Sequence, residues 1–424
     1  MQGSGGNSHP RQRGVLPGSE FTVVVGTDNG LIKVVRSWME EEGERKTVLH
    51  TQWGTQNKDL EVERIVPSPL SAGEVFVCRK NGEIALHNVD SGKVISAFRN
   101  KAKEGKWVGL HCWAESGRFL SCDAKGHVQY WKLSQEVGLE EEEASLCETA
   151  AEELQMRAPI SQFRIDPVAS LKGAFGGNEN ELKVWDMEQK KQIWEAKNVA
   201  NDFLDLRVPV WINDLQFLPQ DPNKIVTGTA YHQIRLYDIT AQRRPVLNAS
   251  CGENPVVSLC MKPHGRSVIF ADTVGNVTEV DLRNGKSLGS YKGISGAIQG
   301  LDISPSGGEE GVVCSASLDR FLRLHDAQSR RLLLKVYLKQ RLNSLVVMGE
   351  GACSSHALRS SGNTHAVAEE QDEQPEEHLM DKPTSTHPQK RKREGGSSAA
   401  TAASSSNKTS TRKKKKKTPQ SKQR

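Results

Sequence analysis

The stretch Gly173-Ala174-Phe175-Gly176-Gly177-Asn178-Glu179-Asn180-Glu181-Leu182-Lys183-Val184-Trp185-Asp186 decides the fold. Its first five residues read as a short apolar strand, and Asn178-Glu179-Asn180 reads as a tight polar turn. Leu182 to Asp186 then alternates apolar and polar residues and ends in Trp-Asp, so the whole is a β-hairpin. The same hairpin recurs less cleanly six more times between Phe21 and Arg331. The other second strands end at Val34-Val35, Val89-Asp90, Trp131-Lys132, Tyr237-Asp238, Val280-Asp281 and His325-Asp326.

The repeats are about 42 to 55 residues apart, the period of a WD-repeat blade or longer where a loop is inserted. Seven units predict an all-β chain folded as a seven-bladed WD-repeat β-propeller. A further strand before each hairpin is marked by an apolar residue four before Pro, as in Phe163 to Pro167, Leu215 to Pro219, Leu259 to Pro263 and Leu301 to Pro305. Proline there ends the strand where no ladder donor is needed. The first hairpin has no such strand before Phe21. Leu342-Asn343-Ser344-Leu345-Val346-Val347-Met348-Gly349, after the seventh hairpin, resembles the inner strands and is expected to complete blade one, because an open ring would leave unpaired edges.

This organisation predicts a disordered N-terminal segment over 1–19, a propeller over 20–349 and a disordered tail over 350–424. No apolar run approaches the roughly 20 residues of a membrane span, and the N-terminus lacks an apolar signal core. The expectation is a soluble intracellular protein that makes no membrane contact. Eight cysteines without a Cys-x-x-Cys pair, several inside strands, read as small apolar fillers, and the twelve histidines form no ligand cluster. No metal, cofactor or catalytic residue is expected. An acidic stretch over 139–153, with Glu140-Glu141-Glu142-Glu143, is expected as a long loop before the outer strand of blade three or as a short helix.

The net charge of +5 conceals a division. From Gly351 onward there are fifteen Lys and Arg against eight Asp and Glu, which leaves the rest of the chain slightly acidic. The tail is rich in Ser, Thr, Gln, Glu, Lys and Pro and too poor in apolar residues to offset chain entropy. Its blocks Lys390-Arg391-Lys392-Arg393 and Arg412-Lys413-Lys414-Lys415-Lys416-Lys417 read as a nuclear or nucleolar address and as an RNA-phosphate contact, or simply as a solubilising tail.

One connection departs from the repeat: Lys197 to Trp211, between the outer strand of blade four and the inner strand of blade five. It emerges on the face that also carries the hairpin turns, with Asn29, Lys80, Asn81, Lys125, Tyr231, His232 and Arg320. In blade five the turn itself is Tyr231-His232-Gln233, beside this loop. Lys197, Asn198, Asn201, Asp202, Asp205, Arg207, Tyr231 and His232 are the candidate partner-binding residues, since loops on a rigid scaffold carry function. The alternative is a structural loop, with Asn and Asp tying its own backbone and Phe203, Leu204 and Trp211 anchoring it to the ring.

The run AKNVANDFLDLRVPVW over 196–211, together with Tyr231 to Asp238, Arg243-Arg244-Pro245-Val246 and Lys335-Val336-Tyr337-Leu338-Lys339, closely resembles the WD-repeat-containing protein 74 family, which has fungal counterparts. The likeness is best over blades four to seven and weaker over the N-terminal blades and the acidic insertion. The resemblance implies a nucleolar, non-enzymatic scaffold, also present in the nucleoplasm, in large-subunit (60S) ribosome biogenesis and pre-rRNA processing. It implies association with pre-60S proteins and rRNA, release by an AAA-type ATPase, contact with RNA-exosome-associated factors, and a monomer within a large assembly. The rival function is substrate receptor of a cullin-type ubiquitin ligase. Such receptors carry Trp-Asp-x-Arg after a blade strand, whereas here Trp185-Asp186 is followed by Met187-Glu188 and only Val280-Asp281-Leu282-Arg283 comes near. No phosphate-cradling loop, His-x-x-x-His pair or nucleophile elbow suggests an enzyme.

Overall fold

The computed structural model describes residues 20–39, 46–101, 103–133, 146–147, 152–168, 171–304 and 311–348. The segment 1–19, the tail 350–424 with both basic blocks, and most of the acidic insertion lie outside them. Among the described residues the chain is all-β, with seven sheets and a single 3-10 turn, Lys58–Leu60. No helix among them is long and apolar enough to cross a membrane.

The hairpin read first is the middle of blade four. Gln162–Ile165 is its inner strand, Lys172–Gly177 and Asn180–Asp186 form the hairpin, and Lys191–Glu195 lies outermost. Neighbours run antiparallel, with Phe163 opposite Phe175 and Ala174 opposite Val184. Blade three departs from the expected layout, because its outer strand, Glu152–Gln155, takes in the last two residues of the acidic stretch. Leu146–Cys147 from the same insertion pairs in parallel with Val94–Arg99, the outer strand of blade two. Two described pieces of the insertion are therefore strands, and one of them covers a sheet edge that would otherwise be open to pairing.

The aspartate that closes most repeats has a mechanical reason. Asp186 accepts the backbone N–H of Glu188 at 2.9 Å and of Gln189 at 2.8 Å, turning the chain into the outer strand. Asp238 accepts Thr240 at 2.9 Å and Ala241 at 3.3 Å, and Asp326 does the same for Gln328 and Ser329. These are Asx turns. In blade two the strand ends at Asn88, whose side chain accepts Asp90 and Ser91, each at 3.0 Å. Asp90, taken in the sequence for the turn residue, is instead ion-paired with Arg36 of blade one.

Seven apolar clusters lie between neighbouring blades, so strands such as Glu74–Arg79 are buried on both faces and read as apolar runs rather than strict alternations. Between blades three and four, Val108, Leu120 and Val128 meet Phe163 and Phe175. The approach is close enough that a Cβ on Gly109 would stand 2.5 Å from the Phe163 ring, so only glycine fits there.

Leu342–Met348 closes the ring as expected, pairing antiparallel with Glu20–Thr27 so that Val24 faces Val346. Leu342 and Val347 join Phe21 and Val23 in one cluster with Val312, Cys314, Leu322 and Leu324 of blade seven. Inner strands of adjacent blades are also joined by polar side chains. Ser344 accepts the N–H of Ile65 at 3.0 Å, Gln162 donates to Asp214 at 2.6 Å, Asp214 accepts Leu259 at 2.7 Å, and Asp302 accepts Val347 at 2.9 Å. Each bond satisfies a backbone or side-chain group that the four-stranded ladders leave unpaired.

Candidate partner-binding face

The connection from blade four to blade five leaves the outer strand at Ala196, whose N–H still bonds Leu182 at 2.8 Å, and is then tied to blade five by Lys197 N–H on the Arg243 carbonyl at 2.8 Å. Asn198 holds its two limbs together, donating to the Val208 carbonyl at 2.6 Å while its oxygen accepts Arg235 at 3.4 Å. Arg235 is 1% exposed and also bonds Gln233 and Asn248. The buried guanidinium thus joins the loop to the blade-five hairpin.

The tip is a compact turn built by Asp202. Its carboxylate accepts the N–H of Leu204 and of Leu206, both at 2.9 Å, and its own N–H donates to the Leu206 carbonyl at 2.9 Å. Asn201 donates to the Asp205 carboxylate at 2.9 Å and to its carbonyl at 3.2 Å, across an Asp205 held at φ +59°. Asp and Asn tolerate that left-handed conformation because their side chains can bond locally. On the return limb Arg207 meets Glu179, in the hairpin turn of blade four, at 2.6 Å. The N–H of Glu179 donates to the Val210 carbonyl at 2.8 Å, and Trp211 forms an isolated bridge with Asn178.

The polar residues singled out from the sequence therefore fall into two groups. Asn198, Asn201, Asp202, Asp205 and Arg207 bond within the loop or to the hairpins flanking it. Lys197 and Tyr231 are exposed on the same face, and His232, at φ +52°, shapes the blade-five turn and accepts the Cys251 N–H at 2.8 Å through its carbonyl.

What the sequence reading missed is the apolar component. Phe203 is 94% exposed, Leu204 63% and Leu206 57%, and Trp211 beside them is exposed as well. Phe203 and Leu204 do not anchor the loop to the ring, as the structural alternative supposed; buried Val210 and Ile212 do that. The signal was present in the spacing Asp202-Phe203-Leu204-Asp205-Leu206. A turn whose carboxylate captures its own backbone folds back on itself and turns the intervening side chains outward.

Among the described residues five cysteines are buried, Cys78, Cys112, Cys122, Cys260 and Cys314, and they pack in the interblade clusters. Burial pushes the Cys78 thiol up to about 12 and the Cys112 thiol up to about 11, so both stay protonated at neutral pH.

No family model matches the chain. WD repeat-containing protein 74 of Bos taurus is 36% identical to it over 331 residues, which cover 77% of this chain and 81% of the relative. The protein of the same name in Homo sapiens is 35% identical over the same share of both chains. The chain belongs to the WD repeat-containing protein 74 family. That family's likeness extends to fungi, where the ribosome biogenesis protein NSA1 of Meyerozyma guilliermondii is 26% identical over 67% of this chain and 84% of its own. The match to WD repeat-containing protein 74 is about as long as the ring from 20 to 348.

Proposed function

We propose that the protein is a non-enzymatic assembly factor in biogenesis of the large ribosomal subunit. On this reading it acts in the nucleolus and nucleoplasm, binds the pre-60S particle through the face bearing the 197–211 loop, and is released by an AAA-type ATPase. The observation that carries the reading is the pairing of exposure with order: Phe203, Leu204 and Leu206 stand in solvent on a turn whose backbone is already fixed by Asp202 and Asn201. Exposed aromatic and aliphatic side chains on a preorganised loop lose little entropy on docking and fit an apolar pocket on a protein partner. Lys197, Tyr231 and the hairpin turns around them supply a polar rim. The fungal relatives are named for ribosome biogenesis, which gives the class of assembly. The basic blocks 390–393 and 412–417 supply salt-sensitive contact with RNA-rich surroundings, where exosome-associated factors also work. In the motif nearest the ubiquitin-ligase pattern, Arg283 is engaged by Asp281 of its own turn at 2.8 Å, which gives that rival no support.

Gradient sedimentation of tagged full-length protein tests this. The wild type is expected to travel with large-subunit precursors and to accumulate there when the ATPase is blocked. The triple variant Phe203→Ala, Leu204→Ala, Leu206→Ala is expected at the top of the gradient with unchanged melting. A wild type absent from the precursors would overturn the assembly reading, and a triple variant still bound would move the contact elsewhere.

A further inference from the structure

The hairpin turn of blade two and the connection from its outer strand to blade three enclose a depression of about 430 Å³, lined by Lys80, Asn81, Arg99, Asn100, Lys101 and Lys103. Among the described residues, four cations and two amides line it and no carboxylate does. Lys103 is fixed at its floor: its side chain is 7% exposed, 3.0 Å from Glu63 and 2.7 Å from the Lys80 carbonyl. Lys80, by contrast, is held only loosely at 3.5 Å from Glu61, with 55% of its side chain exposed. A pair of that kind contributes little and exchanges readily for another anion. The Nε of Arg99 is buried without a hydrogen-bond partner among the described residues. Among the described residues, Glu61 and Glu63 reach the lysines of this site and Glu83 is taken up by Asn81 and Arg79, so the cations there outnumber the carboxylates.

We propose that this depression binds the phosphodiester backbone of an RNA strand. Ammonium, guanidinium and amide N–H groups converging on one hollow match the oxygens of a phosphate. A protein segment would bring side chains that need apolar seats, and none of the six lining residues is apolar. The aromatic ring beneath Lys103, Trp107, is 1% exposed and cannot stack on a base. The site therefore reads charge and leaves sequence unread. It lies on the face of the hairpin turns, as does the apolar loop, so a particle made of both protein and RNA meets the two together. The choice of RNA among polyanions rests on the ribosome-assembly reading; the site itself does not.

The test is anisotropy titration of a labelled 20-nucleotide oligouridine with full-length protein in which blocks 390–393 and 412–417 have been changed to Gln, leaving the ring to bind alone. The pair Lys80→Gln, Lys101→Gln is compared with Lys125→Gln, Arg320→Gln, two cations in other hairpin turns of the same face. The first pair is expected to weaken binding several-fold and to flatten the slope of log affinity against log salt by about 1.4, at roughly 0.7 per phosphate contact. It should act equally on oligouridine and a mixed sequence. The control pair should change neither. Equal effects from both pairs, or displacement of the RNA by polyglutamate at matched charge, would overturn the assignment. Single Lys101→Gln, with half the slope change and a normal melting curve, excludes misfolding as the cause. Because only purified protein and RNA are present, failure here is distinct from failure to find the protein on ribosomal precursors.

Discussion

The guanidinium of Arg207 lies 2.6 Å from the carboxylate of Glu179, joining the return limb of the loop to the hairpin turn of blade four. Both side chains are at least half exposed, 61% and 50%, so the pair contributes under about 1 kcal/mol to stability. Its effect is on geometry, because the Glu179 N–H also donates to the carbonyl of Val210, three residues beyond Arg207. Arg207→Glu should leave the melting temperature nearly unchanged and weaken association with the precursor. Combining it with Glu179→Arg should restore association, read by co-sedimentation beside a melting curve.

Phe203→Ala should separate binding from folding more sharply. Removing a side chain that is 94% exposed should change stability by no more than about 0.5 kcal/mol. As an interface anchor it should cost about 2 kcal/mol of binding, or about thirtyfold in affinity. Val210→Ala, at a position 1% exposed, is the converse control and should lower stability first. Urea unfolding and a pulldown of each variant check both expectations.

The closing strand should behave as core. Leu342 is fully buried at the seam between blades seven and one, so Leu342→Ala should destabilise the ring by about 2 to 5 kcal/mol in urea unfolding. A chain stopped after Lys339 loses the whole strand and should be aggregated or protease-sensitive in limited proteolysis.

Acid should weaken the ring through buried histidines. Burial lowers the His87 pKa from 6.5 to about 4, with the side chain 4% exposed against Trp53 and its Nε2 without a partner among the described residues. Between those values the unfolded chain binds a proton that the folded chain refuses. Stability therefore falls as pH drops from about 6.5 to about 4 and is unaffected by this group above 6.5. The effect of His87 alone is on the order of 3 kcal/mol at its limit. His50 and His111, also lowered to about 4 chiefly by burial, add to the same slope. His87→Phe should flatten the fall, measured as melting temperature against pH.

The architecture was legible because its signals are local and repeated. Trp185-Asp186 and its counterparts mark places where a carboxylate must turn the chain, and Leu342 to Met348 carries the apolar pattern of the inner strands. Where one blade uses a different turn acceptor, Asn88 for Asp90, the sequence reading places the strand end two residues late. The acidic insertion hid two strands because pairing of Leu146 with Ala97 depends on a partner about fifty residues away that no local pattern announces. At the loop, polar residues drew attention by their chemistry, yet whether a side chain faces a partner or its own backbone is decided by turn geometry. Asp202 and Asn201 turned inward, and Phe203 was left outside.

Closure of blade one by Leu342–Met348 also sets an order of events during synthesis. Val24 is among the first ring residues made and Val346 among the last, yet they face each other in one sheet. Six blades can assemble from neighbouring segments as the chain lengthens, whereas the first-made strands must wait for nearly the entire ring to be translated. A contact of such long sequence separation is slow to form and leaves its edge open to wrong partners in the meantime. The seam between blades seven and one is therefore where a newly made chain is most exposed to aggregation, and where a chaperone would have most to protect.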